Sequence, residues 1–248
     1  MISSSPDLRF QRTGIFIVPF VFFVVSIIDI NTLVRSEAPS SEGIMRTILD
    51  FSGGLASYVI CMLLFLPTIL VTSEHAGIGG NSWELVRYKN RDTYTGTVVR
   101  ELLHFTTVFT VIVEALQLIL LLAFTDTAII LSAGVIWYGI MALVVGITFY
   151  YRALILYRIA KCITNQKALG MAITIGIYFM EYVLYTYIRY QSPVFPCYIL
   201  TIPFRVLTGE VSMLSGSMYI LVSIIANVAI TLWLLVCIRG KDVIEHEK

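Results

Sequence analysis

Residues 101–151 read ELLHFTTVFTVIVEALQLILLLAFTDTAIILSAGVIWYGIMALVVGITFYY. Two apolar runs, 101–124 and 127–151, flank Thr125-Asp126-Thr127. Each exceeds the roughly 20 residues a helix needs to cross the hydrocarbon core of a bilayer. A connection this short makes the two helices antiparallel neighbours. Outward from this hairpin, further apolar segments at 13–35, 52–72, 168–190 and 215–238 bring the expected spans to six. The fold class that follows is an all-α polytopic membrane protein with a single transmembrane domain over 1–248. No internal repeat, low-complexity tract or long linker divides it.

Composition agrees. Hydrophobic residues make up 58% of the 248 and charged residues 13%, against about 25% charged in a soluble domain. Mean hydropathy is +0.86. Such a chain would expose far too much apolar surface in water, so lipid is its solvent. With 17 Lys and Arg against 16 Asp and Glu, no global charge points to nucleic acid as a partner.

The basic residues orient the spans. With a cytoplasmic N-terminus, the inner side holds Arg9, Arg12, Arg87, Lys89, Arg91, Arg100, Arg152, Arg158, Lys161, Lys167, Arg239, Lys241 and Lys248. The outer side holds Arg35, Arg46, Arg189 and Arg205. Both termini are therefore expected inside. A cleaved signal peptide is the competing reading of the N-terminus; Asp29 in the long apolar stretch and Pro39 just after Ser36-Glu37-Ala38 argue against it. Cys61, Cys162, Cys197 and Cys237 form no CxxC, and only Cys197 is expected outside, so they read as small apolar fillers.

The inner segment 73–92, SEHAGIGGNSWELVRYKNRD, is more than a connector. Gly77, Gly79 and Gly80 permit a sharp turn out of the membrane. Asn81 with Glu84 three residues on reads as a capping box, so a short helix is expected over 83–91. Trp83, Leu85 and Tyr88 alternate there with Arg87, Lys89 and Arg91, as suits a helix at the inner surface. Two roles fit: a basic tether to anionic headgroups, or a docking helix for a cytoplasmic partner.

Polar residues recur at helical spacing inside three spans. The third carries Thr107, Thr110, Glu114 and Gln117; the fifth Thr174, Tyr178, Glu181 and Tyr185; the sixth Ser223, Asn227 and Thr231. These faces should turn away from lipid. Glu114 and Glu181 each lie fourteen residues past an inner cation, Arg100 and Lys167, about 21 Å at about 1.5 Å per residue. No Lys or Arg is expected deep in a span beside them. Glu114, Gln117, Tyr178, Glu181, Tyr185 and Asn227 are candidates for a transport path; interhelical hydrogen bonding is the plainer role. Finally, 191–214 holds Pro193, Pro196 and Pro203 among apolar residues, too greasy for a solvated loop and too broken to span. It reads as a re-entrant or interfacial element packed on protein.

On these residues the chain resembles the membrane subunit of type-2 ABC exporters, the ABC-2 permease family. The resemblance implies six spans with both termini cytoplasmic. It also implies an inner segment whose Glu, Gly and short amphipathic coupling helix fit a cleft in an ATP-binding subunit. Glu74, Gly77 and the stretch Trp83, Glu84, Leu85, Arg87, Tyr88 and Arg91 match that arrangement; Arg100 stands where a basic residue often opens the third span. The family also has short re-entrant helices before its last span. The chain departs from it with His75 where a basic residue often follows the Glu, and with a short stretch before the first span. The resemblance implies a second permease copy or relative and a peptide or amphipathic cargo. This chain contains no GxxxxGK[ST], so ATP and Mg would be bound by a separate ATP-binding subunit and no cofactor by this chain.

Two other classes compete. A stand-alone membrane protein, such as a sensor, channel or immunity factor, shares the composition. An intramembrane enzyme fits less well: His75, His104 and His246 lie near or beyond the inner boundary, and neither HExxH nor GxSxG occurs. No catalytic or metal-binding residue is assigned.

Overall fold

The computed structural model describes residues 21, 23–24, 40–53, 61–75, 91–188, 192 and 194–245. Among these the chain is all-helical. The elements are α1 (Ser41–Gly53), a π-helical turn (Cys61–Phe65) leading into α2 (Leu66–His75), α3 (Arg91–Phe124), α4 (Thr127–Ile130), α5 (Ala133–Thr164), α6 (Lys167–Tyr187), α7 (Pro196–Leu207) and α8 (Met213–Glu245). Four stretches are long and apolar enough to cross a membrane: Gly96–Phe124, Ala133–Thr164, Lys167–Tyr187 and Met213–Cys237. The protein is accordingly membrane-embedded. The expected first span, 13–35, lies outside the described residues except for helical Val21, Phe23 and Val24. Of the second, 52–72, Ser52 and Gly53 close α1, and the rest of the described part lies in the short apolar helix Cys61–His75.

The π-turn has a local cause. Pro67 has no N–H to donate and its ring crowds the carbonyl one turn earlier, which a widened turn over Cys61–Phe65 relieves.

α5 is the hub. Of its most apolar stretch, 61% is buried inside the protein, against 17% to 28% for the other three candidate spans, so they surround it. Edge-to-face aromatic pairs run from the π-turn through α3 and α5 to α6: Phe65–Phe109, Phe109–Tyr150, Phe149–Tyr150 and Phe149–Tyr178, at 5.9, 5.0, 5.1 and 5.1 Å. Such pairs add to the stabilisation from area burial alone, and they fix the depth of each helix against its neighbour.

Two expected boundaries are corrected. The fourth span was expected to end at 151, with Arg152, Arg158 and Lys161 beyond it; instead α5 continues unbroken to Thr164 and carries all three. Between Thr148 and Thr164 there is neither Gly nor Pro. The first stop signal is Asn165, which takes the left-handed conformation (φ 57°) and donates its N–H to the Lys161 carbonyl at 2.9 Å. The second difference is at α3, which begins at Arg91 rather than 101. The hairpin at Thr125 is present, with α4 inserted as a single turn before α5.

At the far end from Asn165, α1 lays Ile44, Met45, Ile48 and Leu49 against Leu120 and Leu121 of α3 and Val135 and Tyr138 of α5. α7 is the proline-broken segment: twelve residues, about 18 Å long, with Pro196 through Pro203 all buried. It is too short to span and it packs on protein, as the 191–214 segment was expected to do. Its close approach to α8 needs Gly216, where a Cβ would fall 2.6 Å from Val206 Cγ2.

Candidate functional site

Two polar clusters sit on α5. The first is near its C-terminal end. Glu74, in the last turn of α2, is expected in the loop but is helical, and its carboxylate is held from within the chain. Lys161 Nζ donates to Oε1 and Oε2 at 2.7 and 2.9 Å, Tyr157 Oη to Oε2 at 2.7 Å, and Arg158 Nη1 to Oε2 at 3.4 Å. Lys167 Nζ, from the first turn of α6, lies 2.9 Å from Oε1. The Glu74 side chain is 7% exposed and that of Lys167 64%, so the cluster is closed on the α5 side and open on the α6 side. Burial would raise the Glu74 carboxyl; hydrogen bonds from Lys161, Lys167 and Tyr157 outweigh it and hold the group at about 2, against an ordinary 4.5.

The second cluster centres on Arg152, 3% exposed midway along α5. Its Nε donates to Asn227 Oδ1, its Nη1 to the Val194 carbonyl, and its Nη2 to the Ser223 carbonyl and Oγ at 3.0 and 2.8 Å. Asn227 in turn donates through Nδ2 to the Thr148 carbonyl at 2.9 Å. Next to Arg152 on α5, Tyr151 has its hydroxyl 3.3 Å from that of Thr231. A buried guanidinium demands this many acceptors, because each unsatisfied N–H away from water costs about 1–3 kcal/mol.

This overturns the expectation that no cation lies deep beside the acids. Arg152 is thirteen residues before Asn165, and Glu181 fifteen after Gln166, so both are roughly 20 Å from the α5–α6 turn at about 1.5 Å per residue. Arg152 interacts electrostatically with Glu181 and with Tyr178. Tyr178 is fully buried and donates to the Phe149 carbonyl at 3.1 Å. Glu181 Oε2 is buried and has no hydrogen-bond partner among the described residues.

Val194 explains why Arg152 is needed. It belongs to the non-helical stretch before α7, yet its carbonyl is met at the depth of Arg152. From there α7 climbs to Leu207, whose Cδ1 would be 3.5 Å from a Cβ at Gly134, near the opposite end of α5. Non-helical backbone at that depth must be satisfied by protein, and Arg152 does so.

Glu114 lies apart from Arg152. It is part-buried on α3 and acts electrostatically on Cys61 and Tyr150, whose hydroxyl donates to Cys61 Sγ at 3.4 Å. Gln117 is buried with Oε1 unpartnered among the described residues. Tyr185 is part-buried, its ring 6.3 Å from that of Tyr198 on α7. So Tyr178, Glu181 and Asn227 gather around Arg152, while Glu114, Gln117 and Tyr185 do not share its contacts. Gly77, Trp83, Glu84, Leu85, Arg87 and Tyr88 lie outside the described residues; Arg91 is the first residue of α3. Among the described residues no three His, Cys, Asp or Glu side chains group as a metal would require.

Arg152, Tyr157 and Lys161 are the residues that reading the sequence missed. The signal was present as two i, i+4 steps, Thr148–Arg152 on one face of the helix and Tyr157–Lys161 on the opposite face, hidden by ending the span at 151. Comparison with known protein families, with curated proteins and with solved structures finds no match to this chain.

Proposed function

We propose that this chain is the membrane-spanning permease subunit of an ATP-driven exporter of the ABC-2 type, with six spans and both termini on the cytoplasmic side of the cell membrane. A second permease subunit and separate ATP-binding subunits complete it, and its cargo is a peptide or other amphipathic molecule. The observation that carries this reading is the attachment of Glu74. The inner segment leaves the membrane at a residue bound to Lys161 at the end of α5 and Lys167 at the start of α6. A force applied to that segment is therefore delivered to the α5–α6 turn. α5 is the helix that holds α7 and α8 through Arg152. A push that reaches Glu74 would pass to Val194 and α8 along α5, which is helical without a break from Ala133 to Thr164.

The test is association. Trp83→Asp with Leu85→Asp should abolish co-purification of an ATP-hydrolysing subunit while membrane insertion is unchanged. Retained association, or transport by the purified chain with no ATP-binding subunit present, rejects the proposal and favours a stand-alone membrane protein.

A further inference from the structure

A guanidinium has five N–H bonds. On Arg152, four are accounted for: Nε to Asn227, one of Nη1 to Val194, and both of Nη2 to Ser223. The fifth, on Nη1, has no acceptor among the described residues. Glu181 presents the complement, a buried carboxyl oxygen without a donor, on a side chain that already interacts with Arg152 electrostatically. Two groups of matched chemistry thus lie at one depth, unconnected by a hydrogen bond. The other titratable groups nearby are Tyr178 on α6, Tyr150 on α5, and, beyond Tyr150, Cys61 and Glu114; α8 contributes the neutral Ser223 and Asn227.

A carboxylate accepts from a guanidinium more strongly than an amide carbonyl does. Arg152 nevertheless serves the Val194 carbonyl, at the tip of the backbone that leads into α7. We propose that Arg152 is a two-position latch: in the state described it holds the tip at Val194, and on swinging to Glu181 it releases that tip and α7 with it. The release frees the part of α7 nearest the tip, where Cys197 is fully buried. The latch needs no particular driver, so it stands whether or not an ATP-binding subunit moves α5.

Cys197 supplies the readout. In the full chain in membrane vesicles, with Cys61, Cys162 and Cys237 replaced by Ser, the rate of Cys197 alkylation by a membrane-permeant maleimide reports opening at α7. Glu181→Gln keeps the shape but weakens the second position, and should slow alkylation about tenfold, the change that one charged hydrogen bond accounts for. Arg152→Lys loses the fork that holds the tip and should speed alkylation by about the same factor. A Glu181→Gln chain that labels at the unsubstituted rate or faster overturns the latch. An Arg152→Lys chain that inserts normally and labels no faster overturns it equally.

Discussion

Lys161 Nζ touches both carboxylate oxygens of Glu74, at 2.7 and 2.9 Å, across 87 residues of chain. The pair joins the end of α2 to the end of α5, and Tyr157, Arg158 and Lys167 complete the shell. Removing the carboxylate charge leaves three cations close together without their counter-ion. Breaking a buried pair costs about 3–5 kcal/mol; with Lys167 largely in solvent, about 2 kcal/mol is expected here. Glu74→Gln should lower the thermal unfolding midpoint in mild detergent accordingly, and Lys167→Gln should change it far less.

The same carboxyl makes this end of α5 acid-sensitive. Its folded-state value, about 2, is below the ordinary 4.5. A depressed carboxyl contributes stability that is complete above its unfolded value and is lost as pH falls through the folded one. The stability gap between the native chain and Glu74→Gln should therefore be constant at neutral pH, shrink below 4.5 and vanish near 2. Unfolding midpoints of both chains across that interval check it; a gap that widens on acidification would refute the assignment.

Asn227 serves two partners at once, Arg152 and the Thr148 carbonyl. Asn227→Leu strands a charged donor and a buried carbonyl, a loss of about 3 kcal/mol. Thr231→Val, four residues on, removes a 3.3 Å contact with Tyr151 and a bond to its own helix, and should cost about 1 kcal/mol or less. Denaturant unfolding of the two variants should separate them clearly.

Gly146 sets the distance between α5 and α3. A Cβ there would fall 2.6 Å from Thr110 Cγ2, and Thr110 cannot simply turn away because its hydroxyl donates to the Thr106 carbonyl at 2.8 Å. Gly146→Ala should destabilise by about 1–3 kcal/mol. Adding Thr110→Ser, which deletes the obstructing methyl and keeps the hydroxyl, should recover most of it. Gly176→Ala is the control, since nothing lies within 4 Å of that site.

The polar stripes show how far periodicity reaches. Ser223 and Asn227 are buried with Thr231 part-buried beside them, and Thr110, Thr174 and Tyr178 are buried, as residues at i+4 steps in apolar helices should be. What they face was not legible. Glu114 and Glu181 have the same spacing from an inner cation, yet one lies by a tyrosine–cysteine pair and the other by an arginine. Spacing gives depth along an axis; it carries no information about which neighbour occupies that depth.

Arg152 marks the boundary most clearly. Its position just past the mostly apolar stretch 127–151 made it look like a surface charge, because hydropathy assumes that cations stay at the water interface. That assumption holds until a neighbour supplies enough acceptors to replace water. Those acceptors come from Asn227 and Ser223 on α8 and from a backbone carbonyl at Val194.

By itself, the sequence determined that the chain needs lipid, that its long helices pair as antiparallel neighbours around Thr125, and which faces carry the polar groups. These follow from local chemistry: apolar length, helical period, and the stop signals Gly, Pro and Asn. The tertiary structure alone decided that α5 is the hub, that Glu74 ties α2 to the α5–α6 turn, and that Arg152 is buried midway along α5 and holds the Val194 carbonyl. The physical reason is that a buried charge is tolerable only through partners distant in sequence, and folding is what brings those partners within 3 Å.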